Sequence, residues 1–447
     1  MTATRIHSAE YRSDDFLYRT PIKFGGVALD RVTLLTVTMT VETSGKVASG
    51  SSSMPLGNVW AWPSRDLPYE TTLAAMRSYA ATVRNGYVAP GIKAHPVELT
   101  HSIEHDLLAG IGDMPKLAAL VVMSPFDAAL HDAFGRSLGR NCYETYGRDC
   151  LTSDLSRFLG REFVGEWLSD FLLRKPRKTL PLYHLVGALD PLTPADIATP
   201  INDGLPETLG DWILADGLTH LKIKLNGDDL AWDSERVASV HQVANDMAPD
   251  RDWHYSLDFN ERCRDVAYLL EFLDRLKSTS PRAYDRVQYI EQPTARDLQA
   301  NPRNRMHEAA KRKPVVIDES LVDLESLRLA QDLGYTGVAF KACKGQTQTL
   351  LLAAAAQKAG LFLCVQDLTC PGASLIHSAG LAAHIPGVAA IEANARQYCP
   401  AANAGWDERH PGIFTIRDGV MRTGQLTGWG LGSLSDSGVR AAMDAAD

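Results

Sequence analysis

The chain is 447 residues long, with 45% hydrophobic and 22% charged residues, the balance of a folded globular protein and not of a disordered or fibrous one. That length predicts two or three domains, although a single α/β barrel runs past about 200 residues as one unit. Its 45 basic and 54 acidic residues leave a formal charge of −9 with no long basic stretch, which argues against a phosphate-backbone partner.

Residues 1–7 lead into Arg12, Asp14 and Asp15 without an apolar core, so no secretory leader is predicted. Residues 32–41 are rich in β-branched side chains and predict a strand, with Thr43, Ser44 and Gly45 as the turn and Val47 opening a return strand. Residues 49–53 are small and polar and are followed by Trp60 and Trp62, bracketed by Pro55 and Pro63, which reads as a surface loop carrying exposed aromatics. A helix is predicted over 124–138, capped by Ser124, started by Pro125 and stopped by Gly139. Polar helical patterning over 151–158 and 163–173 precedes a basic run, 174–178, read as a solvated linker.

From Leu180 the pattern changes to short apolar runs separated by amphipathic segments: 180–185, 221–225, 255–259, 287–291, 315–318, 337–341, 361–367 and 388–392. The last four start 22, 24 and 27 residues apart, and this alternation predicts a parallel sheet with helical crossovers. Eight such units without a Gly-rich phosphate turn favour a closed barrel over an open doubly wound sheet. The most apolar run, 350–356, stops at Gln357 and is far short of a bilayer span. Seven cysteines without a Cys-x-x-Cys pair predict reduced thiols, and with the missing leader they point to a cytoplasmic protein with no membrane partner.

The polar residues fall at the strand ends. Lys222 and Lys224 share one face of the second strand by period-two geometry, and later strands close with Asp258, Glu291, Asp318, Lys341, Asp367 and Glu392. In a barrel of this kind those ends form one mouth. Asp258, Glu291 and Asp318 are an all-oxygen donor set suited to Mg²⁺, with Mn²⁺ as substitute. A cation there acidifies the proton α to a bound carboxylate by stabilising an enediolate, and Lys224 and Lys341 are placed to deliver and remove that proton from two sides. A lysine with a reference pKa of about 10.4 is a poor base at neutral pH, so neighbouring positive charge is expected to loosen its proton. Lys344 reads as exposed and peripheral, and His377 as a core or helix-surface residue.

The motifs Lys222-Ile223-Lys224, Asp258-Phe259-Asn260, Glu291-Gln292-Pro293, Ile317-Asp318-Glu319-Ser320 and Phe340-Lys341-Ala342-Cys343-Lys344-Gly345 resemble, in order and spacing, those of the enolase superfamily. The similarity is greatest to its muconate-lactonizing-enzyme subgroup, within the mandelate racemase/muconate lactonizing enzyme family. The resemblance implies a (β/α)7β TIM-like barrel with an N-terminal α+β capping domain. On that basis residues 1–148 form the cap, 149–179 an inserted linker, 180–400 the barrel and 401–447 a segment returning to the cap. It further implies Asp258, Glu291 and Asp318 as metal ligands, Lys224 and Lys341 as the acid/base pair, Lys222 as neutraliser of the substrate carboxylate, and Asn260 as support for the ligands. Asp367 stands nearby in a supporting position. Loops 18–26 and 50–62 correspond to substrate-selecting segments, which makes Lys23, Trp60 and Trp62 candidate ligand contacts. A lysine on strand six argues against the mandelate-racemase subgroup, and Glu392-Ala393-Asn394 departs from the paired aspartates of dipeptide epimerases.

The expected function is Mg²⁺-dependent abstraction of the proton α to a small-molecule carboxylate, giving racemisation or epimerisation. β-Elimination and cycloisomerisation are alternatives on the same residues. A metal-dependent hydrolase is disfavoured because no His-x-His closes a strand, and a non-catalytic barrel is the remaining competitor. Self-association is left open.

Overall fold

The structure is a computed structural model that describes residues 2–24, 27–89 and 91–433; positions 434–447 of the expected returning segment lie outside the described residues. Three antiparallel strands, β1 (Thr4–Phe24), β2 (Val27–Thr43) and β3 (Lys46–Pro55), form the N-terminal sheet in that order. β1 has no counterpart in the sequence prediction. It is an edge strand whose residues 10–15 are all exposed, so no alternation marks it. In β2, by contrast, Val37, Met39 and Val41 are buried between more exposed threonines, as a half-buried strand should read.

The helix predicted over 124–138 starts one turn and more earlier and runs Lys116–Leu138. Ser124 and Pro125 therefore sit inside it, and their chemistry explains how. Pro125 cannot donate to the carbonyl of Val121, and the Ser124 hydroxyl donates to that oxygen instead at 2.8 Å. Gly139 ends the helix in the left-handed conformation, as predicted. This helix, not residues 350–356, is the one segment among the described residues long and apolar enough to cross a membrane, and its apolar stretch is buried inside the protein. Residues 49–53 are not a surface loop. They belong to β3, which lies so close to the helix that a Cβ on Gly50 would stand 2.1 Å from the Ala133 nitrogen.

Residues 151–173 form one short helix, Ser156–Leu159, and two single turns, interrupted where Gly160 and Gly165 take positive φ, in place of the longer helices predicted. Glu162 and Glu166 tie this stretch to the barrel through Arg328 and Lys358. Arg174 and Lys175 are exposed, whereas Arg177 is half-buried and bonds through its amide to the Ala383 carbonyl.

Eight parallel strands then close on themselves: β4 (Leu180–Val186), β5 (His220–Lys224), β6 (His254–Asp258), β7 (Val287–Glu291), β8 (Val315–Ile317), β9 (Gly337–Phe340), β10 (Phe362–Val365) and β11 (Val388–Glu392), with β11 pairing back to β4. The fold is thus a TIM-like barrel with an N-terminal α+β cap. Tyr183, Tyr289, Val316, Ala339, Cys364 and Ala390 fill its interior. Crossover helices show the expected stripe: in Val266–Thr279, capped by the Asp265 carboxylate, Leu269, Phe272, Leu273 and Leu276 are buried. A two-residue strand, β12 (Val420–Met421), pairs antiparallel with β4, and the chain then reaches the cap helix, where Leu431 N donates to Asp132 Oδ1 at 2.9 Å. All seven cysteines are buried and unpaired.

Candidate active site

The strand register sets the polar residues side by side: Lys224 pairs with Asp258, and Asp258 with Glu291. Leu221 and Ile223 pack into the outer core, leaving Lys222 and Lys224 on the opposite face. Lys222 Nζ donates to Gln366 Oε1 (2.6 Å), Glu291 Oε1 (2.8 Å) and Glu392 Oε2 (3.1 Å), with Asp258 Oδ2 also at 3.1 Å. Lys224 Nζ donates to Asp258 Oδ2 (2.5 Å) and Asn260 Oδ1 (2.9 Å). On the other side, Lys341 Nζ is 2.8 Å from Asp318 Oδ2, and Lys344 Nζ donates to the Asp318 carbonyl (2.6 Å) and Oδ1 (3.2 Å). The structure therefore gathers Lys222, Lys224, Asp258, Glu291, Asp318 and Lys341 in one buried cluster. An ammonium has three N–H donors, and Lys222 has a protein acceptor for each of them, two carboxylates and the Gln366 amide oxygen.

Several residues stand differently from their sequence reading. Trp60 is only 5% exposed; its Nε1 donates to Glu319 Oε1 at 2.9 Å, and its ring lies 4.3 Å from Lys341 Nζ. It is a plug between cap and mouth, not an exposed loop aromatic, while Trp62 is half-buried against the same core. Lys344 is buried, not peripheral. Asn260, at a positive φ of 44°, turns its backbone N–H onto Asp258 Oδ1 (2.8 Å) and so braces that carboxylate. Asp367 accepts from the backbone amides of Leu368, Cys370 and Asn394, tying together the loops after β10 and β11. Lys23 is half-buried on a cavity of about 120 Å³ that it shares with Lys224, Asn226, Asn260 and Arg262. His377 is a core residue, bonded through Nε2 to Gln346 Oε1 at 2.9 Å.

Glu319, Gln366 and Glu392 complete the cluster without having been given roles from sequence. Glu392 was visible as a strand-end acid. Glu319 was visible only as the neighbour of Asp318, because its partner Trp60 lies in the cap. With them the mouth holds six buried carboxylates (Asp258, Glu291, Asp318, Glu319, Asp367, Glu392) against four buried ammonium groups (Lys222, Lys224, Lys341, Lys344), a formal surplus of two negative charges with every carboxylate ionised.

The proton affinities register that surplus. Burial and the nearby Asp258 push Glu291 well above the usual carboxylate range, and burial with Asp318 pushes Glu319 up to about 7. Burial would also raise Asp318, but Lys341 and Lys344 outweigh it and hold the group at about 2. For Lys222 and Lys341, burial acts to release the proton, yet the carboxylates around them win and hold both above the ordinary lysine value. In this charge state each sees more acid than cation.

The acids do not converge as a cage. Asp258 and Glu291 meet at Lys222, Asp318 is held by Lys341 and Lys344, and among the described residues no group of three His, Cys, Asp or Glu side chains is spaced to hold a metal as it stands. Glu291 Oε2 is buried with no hydrogen-bond partner.

The profile of the Enolase C-terminal domain-like family matches residues 205–436. A Bradyrhizobium enolase solved with magnesium and mandelic acid is similar to the chain at a TM-score of 0.65 and 18% identity, over 99% of both chains. A dipeptide epimerase from Enterococcus faecalis, solved with Mg and L-Leu-L-Tyr, gives a TM-score of 0.65 at 16% identity over 96% of this chain and 99% of its own. The muconate lactonizing enzyme of Pseudomonas fluorescens, solved with muconolactone, gives 0.62 at 18% identity over 98% and 99%. At these identities the likeness is one of fold. No curated protein matches the sequence.

Proposed function

The chain belongs to the enolase C-terminal domain-like family, and on that premise we propose that it is a Mg²⁺-dependent isomerase that removes the proton α to a small-molecule carboxylate and returns it, racemising or epimerising that carbon. The observation that carries this reading is the placement of the two lysines. Lys224 rests on Asp258 and Lys341 on Asp318, so the two ammonium groups stand at opposite ends of the acid row. Inverting a carbon centre requires one group to take the proton and another to supply it from the opposite side.

The donor chemistry of the residues fits the cation, although their side chains are not spaced around one point as they stand. Asp258, Glu291 and Asp318 offer only hard oxygen donors, the surplus of two negative charges matches a divalent ion, and Glu291 Oε2 lacks a partner. Mn²⁺ suits the same donors. Bound there, Mg²⁺ supplies the positive charge that stabilises a substrate carboxylate as its α-proton leaves. Lys222 holds Glu291 and Glu392 in place, Asn260 orients Asp258, and Trp60 keeps bulk water from Lys341.

The test is proton exchange. Carboxylic acids incubated with the protein and Mg²⁺ in D₂O should take up deuterium at the α-carbon by NMR, lose that uptake with EDTA, and regain it with added Mg²⁺. Lys341→Ala should abolish exchange from one face only. Exchange indifferent to chelator, or Lys341→Ala leaving both faces unchanged, overturns the reading. Loss of a leaving group or ring closure with an intact site would instead assign elimination or cycloisomerisation to the same residues.

A further inference from the structure

Lys341 closes β9 and is followed by a single turn, Ala342–Lys344, and then by the helix Gln346–Lys358. The turn is tight: Lys344 N bonds to the Lys341 carbonyl and Gly345 N to that of Ala342, each at 3.0 Å. The helix cannot cap itself. Its N-cap is Gly345, which has no side chain and adopts φ of +97°, a conformation other residues rarely take.

The missing carboxylate comes from the cap. Asp127, in the middle of the helix Lys116–Leu138 and fully buried, accepts from Thr347 N through Oδ2 (2.7 Å) and from the Thr347 hydroxyl through Oδ1 (2.9 Å). The Thr100 hydroxyl, also in the cap, donates to Oδ1 at 2.8 Å, and His131 Nε2 lies 3.3 Å away. A carboxylate here satisfies an orphan N–H and meets the positive end of the helix dipole. A Cβ on Gly345 would stand 3.1 Å from Asp127 Oδ2, so the glycine also makes room for it.

We propose that Asp127 is a positioning residue for Lys341: the cap supplies, in trans, the N-cap that fixes the turn carrying Lys341 and Lys344, so that the cap sets one proton-transfer face of the site. Trp60 presses on the same two ammonium groups from the cap, 4.3 Å from Lys341 Nζ and 5.9 Å from Lys344 Nζ, which clamps the turn from both ends. Lys224, in contrast, stands on β5, a strand paired in register with β4 and β6 within the barrel. Asp127 touches no reacting atom. Its influence is therefore directional, which an ordinary core residue's is not.

The inference rests on the two-lysine reading above, and its test separates the two. Solvent-deuterium uptake is followed from each enantiomer of an exchanging acid, the Lys341 face being the one that Lys341→Ala silences. Asp127→Asn keeps the volume but loses the charge and one acceptor. It should slow exchange on the Lys341 face roughly 10- to 100-fold, the effect of a sub-ångström to 1 Å displacement of a reacting group, while exchange on the Lys224 face stays within about threefold. Thr347→Val should act in the same sense more weakly, and Thr347→Ser should restore it; these serve should Asp127→Asn fold poorly. Equal losses on both faces, or no loss on either, overturn the proposal. A wild-type protein that exchanges no acid on either face sinks the isomerase reading itself, not the role of Asp127.

Discussion

A buried ammonium group costs several kcal/mol unless its partners compensate, and Lys344 donates its hydrogen bonds to one residue, bonding to both the carbonyl and the carboxylate of Asp318. Replacing it with methionine fills the space and removes the charge. The mouth then holds three surplus negative charges where it had two, and Asp318 keeps only Lys341. Lys344→Met should lower unfolding stability by roughly 3–5 kcal/mol, the usual cost of stranding a buried charge, read from urea or guanidinium melts at neutral pH. A cost under about 1 kcal/mol would show that the pair does not form. The sequence placed Lys344 correctly in the motif but misjudged its depth, because three residues past a strand end is normally rim. Here a one-turn helix folds it back under Asp318. Trp60 was misjudged for a related reason: the acceptor that buries it, Glu319, belongs to the barrel, and no local pattern announces a partner in the other domain.

Elements buried on both faces were the legible ones. Strands β4 to β11 lie between barrel interior and helices, so they read as apolar runs, and from β5 onward a charged residue at the strand end marks where the run meets the mouth. The cap elements follow weaker rules. β1 is polar because its edge faces solvent along residues 10–15, and β3 looks like a loop because its Gly and Ser are there for closeness, not for turning. Gly50 makes that argument testable. A methyl added there would lie 2.1 Å from the Ala133 nitrogen and 2.7 Å from its Cα, both backbone atoms of the cap's central helix, which cannot rotate aside. Gly50→Ala should therefore cost about 3 kcal/mol or more through overpacking, although alanine favours a strand no less than glycine does. A variant as stable as the parent in a denaturant melt would mean that β3 does not lie on that helix. The Ser124-Pro125 pair is the reverse case: its residues imitate a helix start, and only the eight apolar-rich residues before it, continued by the Ser124 bond to Val121, show that the helix passes through.

At the scale of the whole molecule, cap and barrel meet along a seam of buried polar groups. His131 Nδ1 is 2.9 Å from the Tyr146 hydroxyl, Gln346 Nε2 donates to that hydroxyl at 3.1 Å, and Gln346 Oε1 meets His377 Nε2 on the barrel helix Ala373–His384. Burial pushes His377 down to about 4, against an ordinary value of 6.5, with Asp127 partly opposing and His131 adding to the effect. The folded protein thus holds His377 neutral across a range in which the unfolded chain binds a proton there. The unfolded state then has more protons bound, so stability is complete above pH 6.5 and is lost as the pH falls toward 4, at about 1.4 kcal/mol per unit for this one group. Other groups titrate in the same interval, which makes the absolute curve composite; the difference between two proteins isolates His377. His377→Gln keeps a hydrogen-bonding side chain but cannot be charged. It should be less stable than the parent at pH 7, through imperfect replacement of the bond to Gln346, and the deficit should shrink by about 2 kcal/mol when both are melted in urea at pH 5. If the gap between the two proteins is the same at both pH values, His377 is not a buried neutral group, and the seam that joins the cap to the turn bearing Lys341 is hydrated and not packed as described.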